Sequence, residues 1–489
     1  MCFSYCRKLQ IKMVYHTLSG GAETLFPNKN INQKGGKDLG FKNWLMGRRT
    51  KGTLPFLAEY YAEAERFSDI VSGGGDWRYT RKGGLNGGTR RLASLGAARA
   101  VCAELSRLCF TEGTTVTSAD LDTERFLQEV LKENHFYERF PAFLEKVFAL
   151  GGGAVKVYWD NGVKLDFVEA DCFVPTKWDG RCITGAAFAS EVTEDNRHYW
   201  LTETQELCED HLTIENRLYT DTGAKAELSE VLPALSEKSV INGLSKPLFV
   251  YIGTGLSGAK GCKLLGSSVL KGTEDTLKSL DIVFDSLSRE FVLGKKRIIV
   301  PYYAVRGEYD ENGDIKRYFD VNDEVFQAMS VSDTEDLKIT DNTAELRVAE
   351  HTEALSALLD MLCMQVGLSE GALSYKGGTI RTATEVVSRN SRTYRTQAFF
   401  RGIIAEGLAQ VMENICILGK MGGLLADEAS EKASLMFADG AAEDDATRID
   451  RAVKLYTAGV ISRTRAISQI YGISLEEAEK IERMDHDGE

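Results

Sequence analysis

The feature that most constrains this chain is a change of period at three consecutive glycines, Gly151, Gly152 and Gly153. Before them, from Tyr137 to Leu150, apolar residues recur at helical spacing; after them Val155, Val157 and Trp159 alternate with Lys156 and Tyr158. A period of 3.6 residues makes one face of a helix and a period of two makes one face of a strand, so a helix hands the chain directly to a sheet here. A left-handed helix cap is open to glycine without steric penalty, which suits the junction. Asn161-Gly162 then supplies a tight turn, and Val163, Leu165 and Phe167 resume the alternation as a β-hairpin.

On the N-terminal side the pattern is helical: Leu54 to Phe67, Arg91 to Phe110 after a loop marked by Gly73 to Gly75 and Gly83 to Gly88, and Glu124 to Glu133. On the C-terminal side strand-like runs follow at Ile183 to Val192, His198 to Thr204, Thr213 to Thr220 and Leu248 to Ile252, so the middle third reads as an antiparallel sheet. Up to about Thr53 the chain is polar and Gly-rich with little periodicity, an extended or partly disordered arm. That arm is basic: Arg7, Lys8, Lys12, Lys29, Lys34, Lys37, Lys42, Arg48, Arg49 and Lys51 face only Glu23 and Asp38.

A second helix-to-strand passage lies further on. Thr273 is a plausible N-cap with Glu274 and Asp275 in the positive first turn, and Leu277, Leu280, Phe284, Leu287 and Phe291 form one apolar seam. The helix stops at Gly294; Lys295, Lys296 and Arg297 sit at its negative end, and Ile298, Ile299 and Val300 begin a strand. From Lys295 to about Arg347 short strands and a Glu311-Asn312-Gly313 turn make a small β-rich insertion, from which a helix, Glu350 to Val366, returns. Gly367, Gly371, Gly377 and Gly378 then mark a loop with Lys376 at its tip, and a longer helix runs from Thr382 to Leu418. Three short helices close the chain, bounded by Gly459 and Gly472, the last opened by Ser474 and Glu477 as a capping box. The class is therefore α+β.

Composition narrows the function. With 489 residues, 43% hydrophobic, two to four compact units are expected. A formal net charge of −13 argues against tight wrapping of nucleic acid, which depends on clustered cations. The ten cysteines lack paired zinc spacing and disulfide density and read as reduced cytosolic thiols, and the six histidines are isolated. No secretion signal and no run of about eighteen apolar residues is seen, so the expectation is neither export nor a membrane span. Gly253, Gly255 and Gly258 spell GxGxxG after a strand, but the short, glycine-broken stretch Ala259 to Gly266 offers no helix for a pyrophosphate, so a flexible loop is favoured. No nucleophile elbow or Cys/His pairing appears, which disfavours an enzyme. Arg381, Arg389, Arg392, Arg395 and Arg401 form either a DNA-facing basic face or a solvated or subunit-paired one. Glu476, Glu477, Glu479 and Glu482 make the last helix a poor groove reader and a better packing helix.

Several stretches together resemble the portal proteins of long-tailed phages and prophages of Gram-positive bacteria. Ala149 to Tyr158, Asp166 to Phe173 and Trp178 to Arg181 are similar to that family's helix-to-sheet passage. Gly266-Ser267-Ser268 and Leu277 to Pro301, with Leu280-Asp281, Phe284-Asp285-Ser286 and Arg289-Glu290-Phe291, resemble its first stem helix running into the clip. Thr382 to Val386 with Asn390-Ser391 resembles the helix after its tunnel loop, and Gly459 to Ser462 a turn in its crown; the basic N-terminal arm departs from the pattern.

The resemblance implies a non-enzymatic portal fold: arm 1–53, wing 54–267, first stem helix 268–294, clip 295–349, second stem helix 350–367, tunnel loop 368–381, long wing helix and following segment 382–440, and crown 441–489. It implies a ring of about twelve subunits at one capsid vertex, assembled in the bacterial cytoplasm, through which double-stranded DNA passes without sequence recognition. The terminase large subunit and then head-completion proteins would dock on it beside capsid and scaffold proteins. By the same implication Leu277, Leu280, Phe284, Leu287 and Phe291 serve stem assembly, Lys295, Lys296 and Arg297 lie in the docking clip, and Lys376, Gly377, Gly378 and Arg381 line the channel. No cofactor, metal or membrane is implied. The other readings are a minor capsid or head-tail adaptor subunit and, third, a nucleotide-binding enzyme.

Overall fold

The computed structural model describes residues 55–81, 89–110, 114–180, 182–258, 264–294, 298–301, 307–309, 315–317, 326–329, 340–341, 345–374, 390–437, 445–459, 461–471, 473 and 475–486. The basic arm, the turn at 311–313 and the capping-box Ser474 lie outside them. In chain order the elements are α1 (Pro55–Val71), strands β1 (Tyr79–Arg81) and β2 (Thr89–Arg91), α2 (Ala97–Cys109), β3 (Thr115–Ser118), α3 (Leu121–Glu133) and α4 (Phe136–Leu150). Then come β4 (Gly152–Trp159), β5 (Val163–Glu169), β6 (Phe173–Asp179), β7 (Cys182–Glu194), β8 (Arg197–Cys208), β9 (His211–Thr220), β10 (Lys225–Ala226), β11 (Lys238–Asn242) and β12 (Phe249–Gly253). Helix α5 (Glu274–Leu293) leads to β13 (Ile298–Pro301), β14 (Gly307–Tyr309), β15 (Ile315–Arg317), β16 (Phe326–Met329) and β17 (Thr340–Asp341). Helices α6 (Val348–Val366) and α7 (Ser391–Met421), strand β18 (Ala433–Met436) and helices α8 (Asp445–Thr457), α9 (Arg463–Tyr471) and α10 (Leu475–His486) complete the chain.

The chain divides into two compact units, one made of the segments up to Val71, Arg99–Lys271 and Tyr394–Glu489, the other of Ser72–Ala98 and Gly272–Thr393. In the first, the glycine junction works as two separate devices. Gly151 is the left-handed cap of α4, φ +94°, and its amide still donates to Val147. Gly152 and Gly153 already belong to β4, where a Cβ on Gly153 would come within 2.6 Å of the Phe143 ring and 2.9 Å of the Val168 carbonyl. Helix and strand therefore touch at a distance no side chain would permit.

β4 is the centre of a three-stranded sheet, β12-β4-β5, and β6 to β9 form an antiparallel meander whose far edge carries β10 and β11. An aromatic cluster of Phe110, Phe136, Phe140, Phe143 and Phe167 fills the space between α4 and β5, with ring centroids 4.9 to 6.1 Å apart. Buried Asn134 at the end of α3 donates to Val163 and accepts from Leu165, fixing the first turn of β5. Helix α7 is long and apolar enough to cross a membrane, yet 56% of its apolar window is buried inside the fold, where Phe400 stacks edge-on with Phe148.

One buried cation joins the two sheets. Lys156 of β4 places its ammonium 3.0 Å from Glu203 of β8, 3.5 Å from Asp166 of β5 and 5.0 Å from the Phe188 ring centroid. Burial alone would lower its pKa, but the carboxylates of Glu203 and Asp166 outweigh that and hold it above the ordinary lysine range.

The second unit contains the hairpin of α5 and α6 and the short strands between them, with β13 paired parallel to β16 and antiparallel to β17, and β14 paired antiparallel to β15. The expected helix from Arg91 begins only at Ala97. Thr89–Arg91 pairs with Tyr79–Arg81 instead, and the Ala93 and Leu95 amides are taken by aspartate side chains, which keeps residues 89–95 extended.

Replacing Lys156 by Met should cost about 3 kcal/mol, the low end for one partner removed from a buried ion pair, because Asp166 still reaches solvent. The raised pKa means that the ammonium's contribution is complete at neutral pH and is lost only as pH rises beyond the ordinary lysine range. Urea titrations of both proteins at neutral and strongly alkaline pH check the gap and its closure.

Candidate functional site

The site is built on α5 and its returning partner α6. Leu277 and Leu280, the first two seam residues, are buried, while Phe284 and Leu287 are half-buried and Phe291 is 53% exposed. α6 turns Leu355, Leu359, Leu362 and Cys363 inward. The seam is thus a core contact at the start of α5 and an open apolar face at its end. Ile282 and Val292 on α5, and Val348, Met361 and Met364 on α6, are also more than a third exposed. Large apolar side chains are thus gathered in the open on one hairpin.

Two carboxylates one turn apart on α5 hold the segment 72–98. Asp281 accepts from the Arg78 Nε, the Trp77 indole and the Leu95 amide, each at 3.0 Å. Asp285 accepts from the Arg90 guanidinium and, at 3.0 Å, from the Ala93 amide. Arg78 and Asp281 are both nearly removed from solvent, at 3% and 4% side-chain exposure. For Asp285, burial pushes the carboxyl up, but the Arg90 hydrogen bond, the Ala93 amide and the charges of Arg90 and Arg289 together hold it below its ordinary value. Sequence reading named neither aspartate as functional; the usable signal is their i, i+4 spacing beside Leu280 and Phe284, which puts both on one helix edge next to the seam.

At the far end of the hairpin Arg347 grips Glu290 with a two-pronged pair, Nε and Nη2 each 3.1 Å from a carboxylate oxygen. These hydrogen bonds lower the Glu290 pKa and raise that of Arg347. His351 sits one turn along. Its Nδ1 donates to the Arg347 carbonyl at 2.6 Å, so in the neutral ring Nε2 is free to accept from Ser286 at 3.0 Å. Trp77, Arg90, Leu92, Lys278, Ile282, Arg289 and neighbouring residues line an open cleft of about 650 Å³ along α5.

Ser369, just after α6, and Thr393, in the first turn of α7, are tied to each other. The Ser369 amide donates to the Thr393 hydroxyl at 2.9 Å, the Thr393 amide donates to the Ser369 hydroxyl at 3.2 Å, and Asp360 accepts from the Gly371 amide. Lys376, Gly377, Gly378 and Arg381 lie outside the described residues, as do Lys295, Lys296 and Arg297.

Other candidates resolve as packing. Strand β12, which carries Gly253, pairs antiparallel with β4, not in a βαβ unit, and Gly255 has φ +69° against Ile403. Arg401 donates to the Cys109 carbonyl and lies over Phe437, so it is turned away from any basic face that exposed Arg392 and Arg395 present. Glu479 pairs with Arg125 and Glu482 accepts from Thr464, while Arg465 reaches buried Glu124, so the terminal helices pack on α3. Burial pushes the thiols of Cys102, Cys109 and Cys416 up to about 12, where they are unreactive.

The family model described as "Phage portal protein, SPP1 Gp6-like" matches residues 85–489. Among solved structures, the chain is similar to one in the virion of a native gene transfer agent particle, with a TM-score of 0.39 and 11% identity, over 89% of this chain and 99% of that chain. No curated protein sequence matches.

Asp281→Ala should destabilise the second unit by about 3–5 kcal/mol, since it removes one partner of a buried ion pair. Asp285→Ala should cost less, because Arg90 is 29% exposed. The depressed Asp285 pKa adds stability that is complete above about pH 4 and lost as pH falls through the folded value. Hydrogen exchange at the Ala93 amide, protected at pH 6 and released on acidification, checks both claims.

Proposed function

The chain belongs to the SPP1 Gp6-like family of phage portal proteins, and on that premise we propose that it forms a ring of about twelve subunits at one capsid vertex, through which double-stranded DNA is packaged and ejected. The family is structural, and membership makes the chain a virion component that assembles as an oligomer among capsid proteins. The match over residues 85–489, most of the chain, carries the reading. The exposed apolar residues of α5 and α6 agree with it, because a ring buries on neighbours what a monomer leaves open.

In this reading the division is wing 54–267, stem helices 268–294 and 350–367, clip 295–349, tunnel loop 368–381, long wing helix and following segment 382–440 and crown 441–489. The clip, entered through Lys295, Lys296 and Arg297, receives the terminase large subunit during packaging and head-completion proteins afterwards. Assembly takes place in the host cytoplasm. The work is mechanical, with ATP hydrolysed by the motor and no reaction catalysed by the ring. A net charge of −13 suits a conduit, since a wall that bound phosphates tightly would brake the duplex. Lys376 at the tip of the tunnel loop, with Gly377, Gly378 and Arg381 beside it, is the exception: one cation per subunit near the passing backbone.

Purified protein should give symmetric rings with an open central hole in negative-stain images. A monomer, or a closed particle without a hole, would remove the channel reading and leave an adaptor or minor capsid role. A bulky thiol reagent on Lys376→Cys should stall DNA packaging without disturbing ring assembly. Packaging by labelled rings at the unlabelled rate would place that loop outside the channel.

A further inference from the structure

The two outward stripes of the α5–α6 hairpin are complementary to each other, and we infer that α5 of one copy packs against α6 of the next through them. The inference rests on the ring reading above and adds the register of the contact. On α5 the outward stripe runs Lys278, Ile282, Arg289 and Val292, all exposed, the first three lining the cleft. On α6 it runs Glu350, Glu353, Ala357, Met361 and Met364, also all exposed. The first is cationic and apolar. The second is anionic at one end and apolar at the other. Residues at these spacings share one face of each helix.

Heights decide whether the stripes can meet. Ser286 bonds to His351, and Glu290 grips Arg347, so the antiparallel pair keeps one register over that turn. Extended along both helices, it sets Arg289 level with Val348, Ile282 with Leu355 and Lys278 with Leu359. The outward residues of α6 lie two positions further on at each level: Glu350, Ala357 and Met361. The offset is the same at all three and amounts to about 3 Å at the helical rise. With the hairpin standing along the ring axis, a rotational ring repeats every subunit at one height, so the α6 stripe of a neighbour arrives opposite the α5 stripe with that small, constant shift. Arg289 then meets Glu350 and Glu353, Ile282 meets Ala357, and the aliphatic stem of Lys278 lies along Met361. The small residue stands where the two helices come closest, with the ion pairs toward the clip end and the methionines toward the loop end.

Among the described residues these side chains make no direct hydrogen bond or ion pair. Arg289 acts on Asp285 only through its charge, while the Asp285 carboxylate is bonded to Arg90 and Ala93. Glu350 likewise acts through its charge on Arg347, whose guanidinium is engaged by Glu290.

Charge reversal tests the register. Arg289→Glu, and separately the pair Glu350→Arg with Glu353→Arg, should each reduce the ring fraction in sedimentation about tenfold or more, because like charges then face each other across the contact. Combining all three should restore rings. Because these side chains are exposed and touch Asp285 and Arg347 only by charge, the monomer should stay folded in every variant, with no more than a small drop in thermal unfolding. As a second reading, Ile282→Cys with Ala357→Cys should give a covalent ladder of copies with a short thiol crosslinker, and neither single variant should. Rings that ignore the single reversals, or a combined variant no better than either part, would overturn the interface while leaving the channel reading intact. A parent protein that never forms rings would remove both.

Discussion

The second unit depends on two carboxylates spaced one helical turn apart. Asp281 and Asp285 take an arginine each and, between them, the Trp77 indole and two backbone amides from the segment that contains β1 and β2. A carboxylate can accept several bonds at once, and nearly dry surroundings make each of them worth more than it is in water. The result is that a segment far away in sequence is held along α5 by charge, while the apolar side of the same helix is left to α6. One helix thereby separates its polar and apolar duties by face, and half a turn of rotation would exchange them.

That division explains what was legible in the sequence. The periods were readable because burial on one side of an element writes itself at fixed spacing: the switch at Gly151 to Gly153, strands β7 to β9 and the α5–α6 pair all follow from it. Element ends were less readable, because they are set by single polar contacts. Asp120 caps α3 through the Thr123 amide and so starts that helix at Leu121, ahead of Glu124. The extended run before α2 exists because Asp281 and Asp285 claim its amides from nearly two hundred residues away, a pairing that no local pattern announces.

The seam of α5 was read as one continuous stripe, and its five residues do share a face. Their burial differs along the helix because α6 is not the whole partner: Leu280 is closed off, Phe291 is half open. A sequence shows which side chains avoid water, but not which chain will shelter them. Gly152 and Gly153 teach the complementary lesson. Both looked like helix-breaking residues, and both are instead places where a strand must pass so near an aromatic ring or a neighbouring backbone that only hydrogen fits.

The mutual hydrogen bonds of Ser369 and Thr393 have an evolutionary reach. By tying the two ends of the intervening segment to each other, they uncouple its length from the helices on either side. Lengthening a flexible segment whose ends are already joined costs little, about 0.6 kcal/mol for each doubling. The chain between those two hydroxyls can therefore be lengthened or shortened without changing how the helices on either side fold.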